Sequence, residues 1–237
     1  MRDTESGRVV NQNPCWPCGM KVDRHGKAKI LTLEEIQLLF REGFQTNRDR
    51  ALFGICLFSA CRINEAVTLK TVDAYDTAGR VRPKLIIRKG NTKGKLATRT
   101  IPIIYDLRLI LTAYKPKAGQ EYLFPGRFSG HIDPESASRI LRKALRRVGI
   151  EGASTHSFRR TALTQMSDTG IPLRIIQEVS GHRDLGQLQN YLEVRDEQVL
   201  GAMTSLSMLS PVGEEVRKKT YVDLAENEAS TEVQHNE

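Results

Sequence analysis

Apolar positions recur at helical spacing along most of this chain and alternate along one short stretch. Thr32 with Glu35 three residues on forms a capping-box pattern that predicts an amphipathic helix through about Arg41. A second, more apolar helix is expected over 48–60. Residues 84–88 read as a strand, 89–95 as a turn rich in Gly and Asn, and 97–103 as the returning strand. A helix over 105–114, capped by Asp106, follows, and then a short apolar segment at 122–125. Asp133 and Pro134 supply the N-cap acid and first-turn proline of a further helix. Ile140, Leu141, Ala144, Leu145 and Val148 form its apolar stripe, and Gly149 ends it. Gly170 and Pro172 stop one helix and start the next, which carries Leu173, Ile176 and Val179 on its apolar face and ends at Ser180-Gly181. Leu185, Leu188 and Leu192 anchor a short segment, and 196–209 gives a last amphipathic piece with Val199, Met203, Leu206 and Leu209. The sum is a mainly α protein with a small antiparallel β-sheet, an α+β fold.

Length and charge add an organisation to this pattern. The 237 residues are enough for a substantial core, and one domain with tails is expected. Residues 1–30 read as a flexible arm, 31–209 as the folded domain and 210–237 as an acidic, disordered tail. Formal charge is +8, with a pI near 9.4. From Pro211 onward there are seven acidic against three basic residues, so the preceding chain carries about +12. A basic body of this kind points to a polyanionic partner, while the acidic tail suits either a nucleic-acid binder or solubility. No apolar run is long enough to span a membrane and no charged-then-apolar leader is present, so a cytoplasmic protein is expected. The four cysteines read as thiols, with Cys56 and Cys61 in the core. Cys15 and Cys18 have only His25 near them as a further ligand, short of the four that a zinc site needs, so no metal is expected.

The chemistry concentrates between residues 156 and 191. His156 and Arg159 lie three apart, on one face of a helical turn. His182 follows a helix-ending glycine, and Tyr191 comes nine residues later. Arg presents a planar fork to two non-bridging phosphate oxygens, His moves a proton near neutral pH, and Tyr is able to form a covalent phosphoester. Upstream, Arg62 and Glu65 form a second such pair, and the predicted hairpin turn carries Lys89, Lys93 and Lys95. Arg139, Arg142, Lys143 and Arg146 sit mostly off the apolar stripe of their helix, a face able to make phosphate contacts along a duplex. Arg160, beside Arg159, belongs to the same candidate DNA-binding set.

This series of boxes, in order over about 31–209, resembles the tyrosine recombinases, or phage integrases: Arg62-x-x-Glu65, a hairpin lysine, His156-x-x-Arg159, Gly181-His182 and Tyr191. The resemblance implies a DNA breaking-rejoining catalytic domain that cuts and rejoins DNA through a 3′-phosphotyrosyl intermediate, in integration, excision or inversion. Tyr191 would be the nucleophile, Arg62 and Arg159 the clamps on the non-bridging oxygens and His156 the proton carrier at the tyrosine. His182 would donate a hydrogen bond to the phosphate and Glu65 would support Arg62. Lys93 is the first candidate for general acid, ahead of Lys95 and Lys89. No metal or cofactor is implied. Double-stranded DNA is the expected partner, bound by a tetramer on paired sites. The family's usual glycine two places before the first arginine is Ala60 here, which leaves open whether the turn forms. Its N-terminal helical clamp domain does not fit in 30 residues, so the chain reads as a nearly all-catalytic short member, a relic, or a protein needing an accessory or core-binding partner. Type IB topoisomerase-like action and non-catalytic DNA binding stand as alternatives.

Overall fold

The computed structural model describes residues 28–88, 90, 98–127, 130–189 and 196–209, with the side chains of Glu197 and Met208 left aside. Most of the expected arm, the turn bearing Lys89, Lys93 and Lys95, the segment bearing Tyr191, and the acidic tail lie outside these residues. The chain divides into two units, one ending at Glu193 and the other beginning at Val194.

The first unit opens on the predicted capping box. Thr32 Oγ1 accepts from the Glu35 amide at 3.2 Å, and Glu35 Oε2 accepts from the Thr32 amide at 3.1 Å. These bonds start α1 (Leu33–Leu38), which runs on as a π-helical turn, Leu39–Gly43. Helix α2 (Asn47–Phe58) buries every side chain from Ala51 to Leu57 and is the hub of the core. A helix apolar all round has to be covered all round, and helices α5 (Tyr105–Tyr114) and α7 (Thr155–Asp168) both pack on it. Gly54 lets α5 approach closely, because a Cβ there would stand 3.3 Å from Ile110. Phe44, Phe53 and Phe158 stack in series with ring centroids 4.9 and 5.2 Å apart, tying the end of the π turn through α2 to α7.

Two short helices follow α2: α3 (Ile63–Val67) and α4 (Thr71–Ala74). The sequence pattern did not reveal α4, which is one turn long and closed by Asp73 accepting from the Lys70 amide at 3.0 Å. Buried Asp73 also pairs with Arg88 at 2.6 Å, fixing the exit of strand β1 (Lys84–Ile87). Strand β2 (Arg99–Pro102) returns antiparallel, with Lys84 opposite Pro102 and Ile87 opposite Arg99. Leu85, Ile87 and Ile101 point into the core, the period-2 burial expected of a one-faced ribbon. Asp106 lies in the first turn of α5 but is not its cap, since Ile104 holds that position with no side-chain bond.

Helix α6 (Pro134–Arg147) starts as the sequence predicts, with Asp133 Oδ1 accepting from the amides of Glu135 and Ser136 at 2.9 and 3.1 Å. Gly149 closes it at φ 68°. Helices α7, α8 (Leu173–Ser180) and α9 (Leu185–Gln189) then enclose a small second cluster of Ala60, Ala162, Leu163, Ile176 and Leu188. The described part of the second unit is α10 (Asp196–Ser205) and a 3₁₀ turn, Leu206–Leu209, with Val199, Met203, Leu206 and Leu209 exposed. Among the described residues no helix is long and apolar enough to cross a membrane.

The central ring stack sets a stability test. Phe53→Ala should lower unfolding free energy in urea by about 3–5 kcal/mol, the usual cost of emptying a well-packed aromatic site. A loss below about 1 kcal/mol would mean that α2 is not the hub described.

Candidate active site

The site is assembled around the end of α2. After Phe58 the chain reverses through Ala60 at φ 49°, the one non-glycine residue with positive φ among those described. The turn therefore forms with alanine in the place where the resemblance expects glycine. This conformation is strained for any residue with a Cβ. It persists because the Ala60 carbonyl accepts from Nη1 of Arg159, and because its side chain packs in the second cluster.

The reversal delivers Arg62 as N-cap of α3, and Glu65 sits one turn on. Glu65 Oε2 accepts from the Arg62 amide at 2.9 Å, and Oε1 lies 3.3 Å from Arg62 Nη1. Glu65 is buried while the Arg62 side chain stays partly exposed. A third group, absent from the sequence-based set, completes this cluster. Arg99, at the start of β2, brings Nη2 to 2.7 Å from Glu65 Oε2 and Nη1 to 3.4 Å from Oε1. Burial alone would raise the Glu65 carboxyl, but Arg99 and Arg62 outweigh it and hold its pKa below the ordinary value. Nothing in the local pattern marks Arg99, whose partner is 34 residues away. Its placement as the strand residue after the lysine-bearing turn was the one available signal.

Arg159, the most deeply buried of the three arginines, is 1% exposed, and a guanidinium cannot shed its charge on burial. The fold answers with acceptors. Besides Ala60, Arg159 Nη2 donates to the Ser180 carbonyl at 3.0 Å and to His182 Nε2 at 3.0 Å. With Nε2 accepting, the His182 proton resides on Nδ1, which faces Ser180 Oγ at 2.8 Å. Ser180 Oγ in turn donates to the Gln177 carbonyl at 3.2 Å, and the Gln177 amide donates back to the His182 carbonyl at 3.1 Å. Gln177 and Ser180, like Arg99, were not singled out from sequence. Burial, then the positive charges of Arg159, Arg62 and Arg99, push the His182 pKa down to about 3, so the imidazole is neutral at pH 7. His156 occupies the first turn of α7 with an exposed side chain, one turn before buried Arg159.

Of the proposed DNA-contacting residues, Arg139, Lys143 and Arg146 are exposed on α6, and Arg142 is half-buried, pairing with Glu135 at 2.7 Å. Arg139 and Lys143 line an open cavity of ≈ 890 Å³ together with Arg48, Arg127 and His131. Arg160 lies elsewhere from the surface the sequence suggested. It is 7% exposed and donates from Nη1 to the Ala28 carbonyl at 2.7 Å, pinning the start of the described chain to α7. Cys56 and Cys61 are buried free thiols, as expected. Tyr191, Lys89, Lys93 and Lys95 lie outside the described residues. Among the described residues no cluster of three or more His, Cys, Asp or Glu side chains is placed to hold a metal ion.

The sequence profile of the phage integrase family matches residues 29–198. The chain belongs to that family. It is 27% identical over 178 residues to a tyrosine recombinase of Pseudothermotoga lettingae, covering 75% of this chain and 60% of the relative. To tyrosine recombinase XerC of Rhodospirillum centenum it is 30% identical over 176 residues, covering 72% of this chain and 49% of the relative. The chain thus spans roughly half to three-fifths of the length of these curated relatives. The crystal structure of XerA recombinase superposes with a TM-score of 0.61 at 21% identity, over 87% of this chain and 70% of that one. XerH bound to its difH substrate in a pre-cleavage complex gives 0.58 at 19% identity, over 74% and 53%. The fold is the tyrosine recombinase catalytic domain.

The neutral His182 predicts an acid response. The unfolded chain takes up a proton at this imidazole near pH 6.5, whereas the folded chain resists until about pH 3. Between these values the unfolded state binds more protons, so this contribution to stability is present above pH 6.5 and is lost as pH falls toward 3. Urea midpoints measured at several pH values should fall through that window, and the fall should be shallower in His182→Asn. Parallel pH profiles for the two proteins would show that His182 is not held neutral.

Proposed function

We propose that this protein is a site-specific DNA recombinase that cuts and rejoins double-stranded DNA through a 3′-phosphotyrosyl link to Tyr191. The observation that carries the reading is the convergence of Arg62, Arg99 and Arg159 on one carboxylate, Glu65, and one neutral imidazole, His182. The cluster carries a net charge of about +2, which matches a phosphodiester gaining a second negative charge as a nucleophile attacks it. The similar XerH structures, captured on difH DNA before and after cleavage, support DNA as the partner.

In this reading the Tyr191 phenol oxygen attacks phosphorus, its proton passing toward His156, and a phosphotyrosyl bond replaces the bond to the 5′ oxygen. Arg62 and Arg159 take the non-bridging oxygens. As Arg159 turns toward the phosphate it releases His182 Nε2, which takes up a proton from water as the incoming negative charge raises the proton affinity of the imidazole, so that His182 donates to the phosphate. The departing 5′ oxygen takes a proton from a hairpin lysine. The strand register bears on which one. Ile87 pairs with Arg99, a member of the cluster, and Lys89 is two residues beyond Ile87, whereas Lys93 is six beyond it. The frame therefore favours Lys89 over the Lys93 indicated by the turn sequence. The phosphotyrosine keeps the bond energy for rejoining, so the reaction draws on no nucleotide or metal. The exposed cations of α6 would lie along the duplex, and the working assembly would be a tetramer on two paired sites, with a core-binding partner or further domain completing the grip on DNA.

The test needs no knowledge of the site. The protein is incubated with a library of host DNA fragments, the reaction is stopped with denaturant, and covalent adducts are captured and their ends sequenced. Wild type should give adducts whose ends cluster at one paired motif, and Tyr191→Phe none. Lys89→Ala should slow adduct formation more than Lys93→Ala or Lys95→Ala. Scattered ends would favour a topoisomerase-like enzyme, and DNA retention without adducts would favour a non-catalytic binder; either would overturn the proposal.

A further inference from the structure

We propose that Arg99 is a positioning residue of this active site, holding Glu65 so that Arg62 stays available to the phosphate and fixing the turn that presents His182. The proposal rests on the recombinase reading above. Two contacts of one guanidinium, and the place of its residue in the sheet, carry it. First, Arg99 meets both oxygens of Glu65, at 2.7 and 3.4 Å, and its side chain is only 11% exposed. Second, it lies flat against the turn that ends α8. A Cβ on Gly181 would stand 2.8 Å from Arg99 Nη1 and 3.0 Å from Cζ, so glycine is needed there for room as well as for its φ of 65°. Third, the backbone of Arg99 opens β2 opposite Ile87, the end of the ladder next to the lysine-bearing segment in sequence. One side chain thereby joins the hairpin base, the Arg62–Glu65 box and the Gly181–His182 turn.

The charge arrangement says what this does. A buried carboxylate facing Arg62 alone would draw that guanidinium down onto itself, away from any phosphate. With Arg99 taking the two oxygens in a planar fork, Arg62 keeps a single long contact of 3.3 Å and a partly exposed side chain. A lysine would not reproduce this, since an ammonium is a point charge and cannot bridge both oxygens in one plane. Arg99 also has a buried Nε with no hydrogen-bond partner among the described residues, a cost tolerated where a site is shaped for function before stability.

The experiment compares wild type with Arg99→Gln and Arg99→Lys in the full chain, on a DNA duplex carrying the motif mapped by wild-type adducts. DNA retention on a filter and the rate of adduct formation at saturating protein are measured separately, with a thermal melt of each protein. The expected result is an adduct rate about 100-fold lower in both variants, the scale of a misplaced catalytic group, with retention within about threefold of wild type and melting still cooperative. Gly181→Ala, which displaces Arg99 without altering charge, should lose rate in the same way. If Arg99→Gln does not fold, Arg99→Lys and Gly181→Ala carry the test. Wild-type rates in either lysine or glutamine variant, or rate and retention falling together in proportion to the folded fraction, would overturn the role of Arg99. Absence of wild-type adducts would instead overturn the recombinase reading.

Discussion

A guanidinium buried at 1% exposure is the constraint on which this structure turns. Arg159 cannot be neutralised, and without partners its burial would cost more than the domain's margin of stability. Its acceptors among the described residues come from different elements. The Ala60 carbonyl brings the end of α2, in a backbone conformation that alanine rarely adopts; the Ser180 carbonyl brings the end of α8; and His182 brings the turn beyond it. The small apolar cluster of Ala60, Ala162, Leu163, Ile176 and Leu188 packs these same elements. Burying one charge and building the site are therefore a single structural event.

Around that charge the site is deliberately unbalanced. Among the described residues Glu65 is the one carboxylate paired with Arg62 and Arg99, and His182, beside Arg159, stays neutral because burial and the arginines oppose its protonation. An excess of buried positive charge is unfavourable in the resting protein and becomes favourable when a phosphate enters. The Ala60 strain and the unpartnered Nε of Arg99 belong to the same pattern of local cost at a functional centre. The stack of Phe44, Phe53 and Phe158 is buried, apolar and free of such demands.

What was legible in the sequence followed from chemistry that is local. The Thr32–Glu35 box, the Asp133-Pro134 start of α6, the Gly149 stop and the Gly181 cap each satisfy backbone groups within a few residues, and each appears as expected. Arg62 with Glu65, and Gly181 with His182, were visible for the same reason. Arg99 was not, because its meaning comes from a carboxylate on another element, and within its own strand it looks like an edge cation. Arg160 misled in the opposite sense: adjacent to Arg159 in a basic protein it suggested a DNA contact, while the fold turns it inward onto the Ala28 carbonyl. One-turn α4 is too short to carry a period, and only its Asp73 cap, buried against Arg88, betrays it.

In the proposed reaction this charged cluster serves an attack by Tyr191 that leaves DNA joined through its 3′ end. The most direct measurement is mass spectrometry of the captured adduct after trypsin and nuclease digestion. The peptide spanning 184–195 is expected to carry a nucleotide on Tyr191, linked through its 3′ phosphate and leaving a free 5′ hydroxyl on the other DNA end. A nucleotide on any other residue, or one linked through a 5′ phosphate, would contradict it.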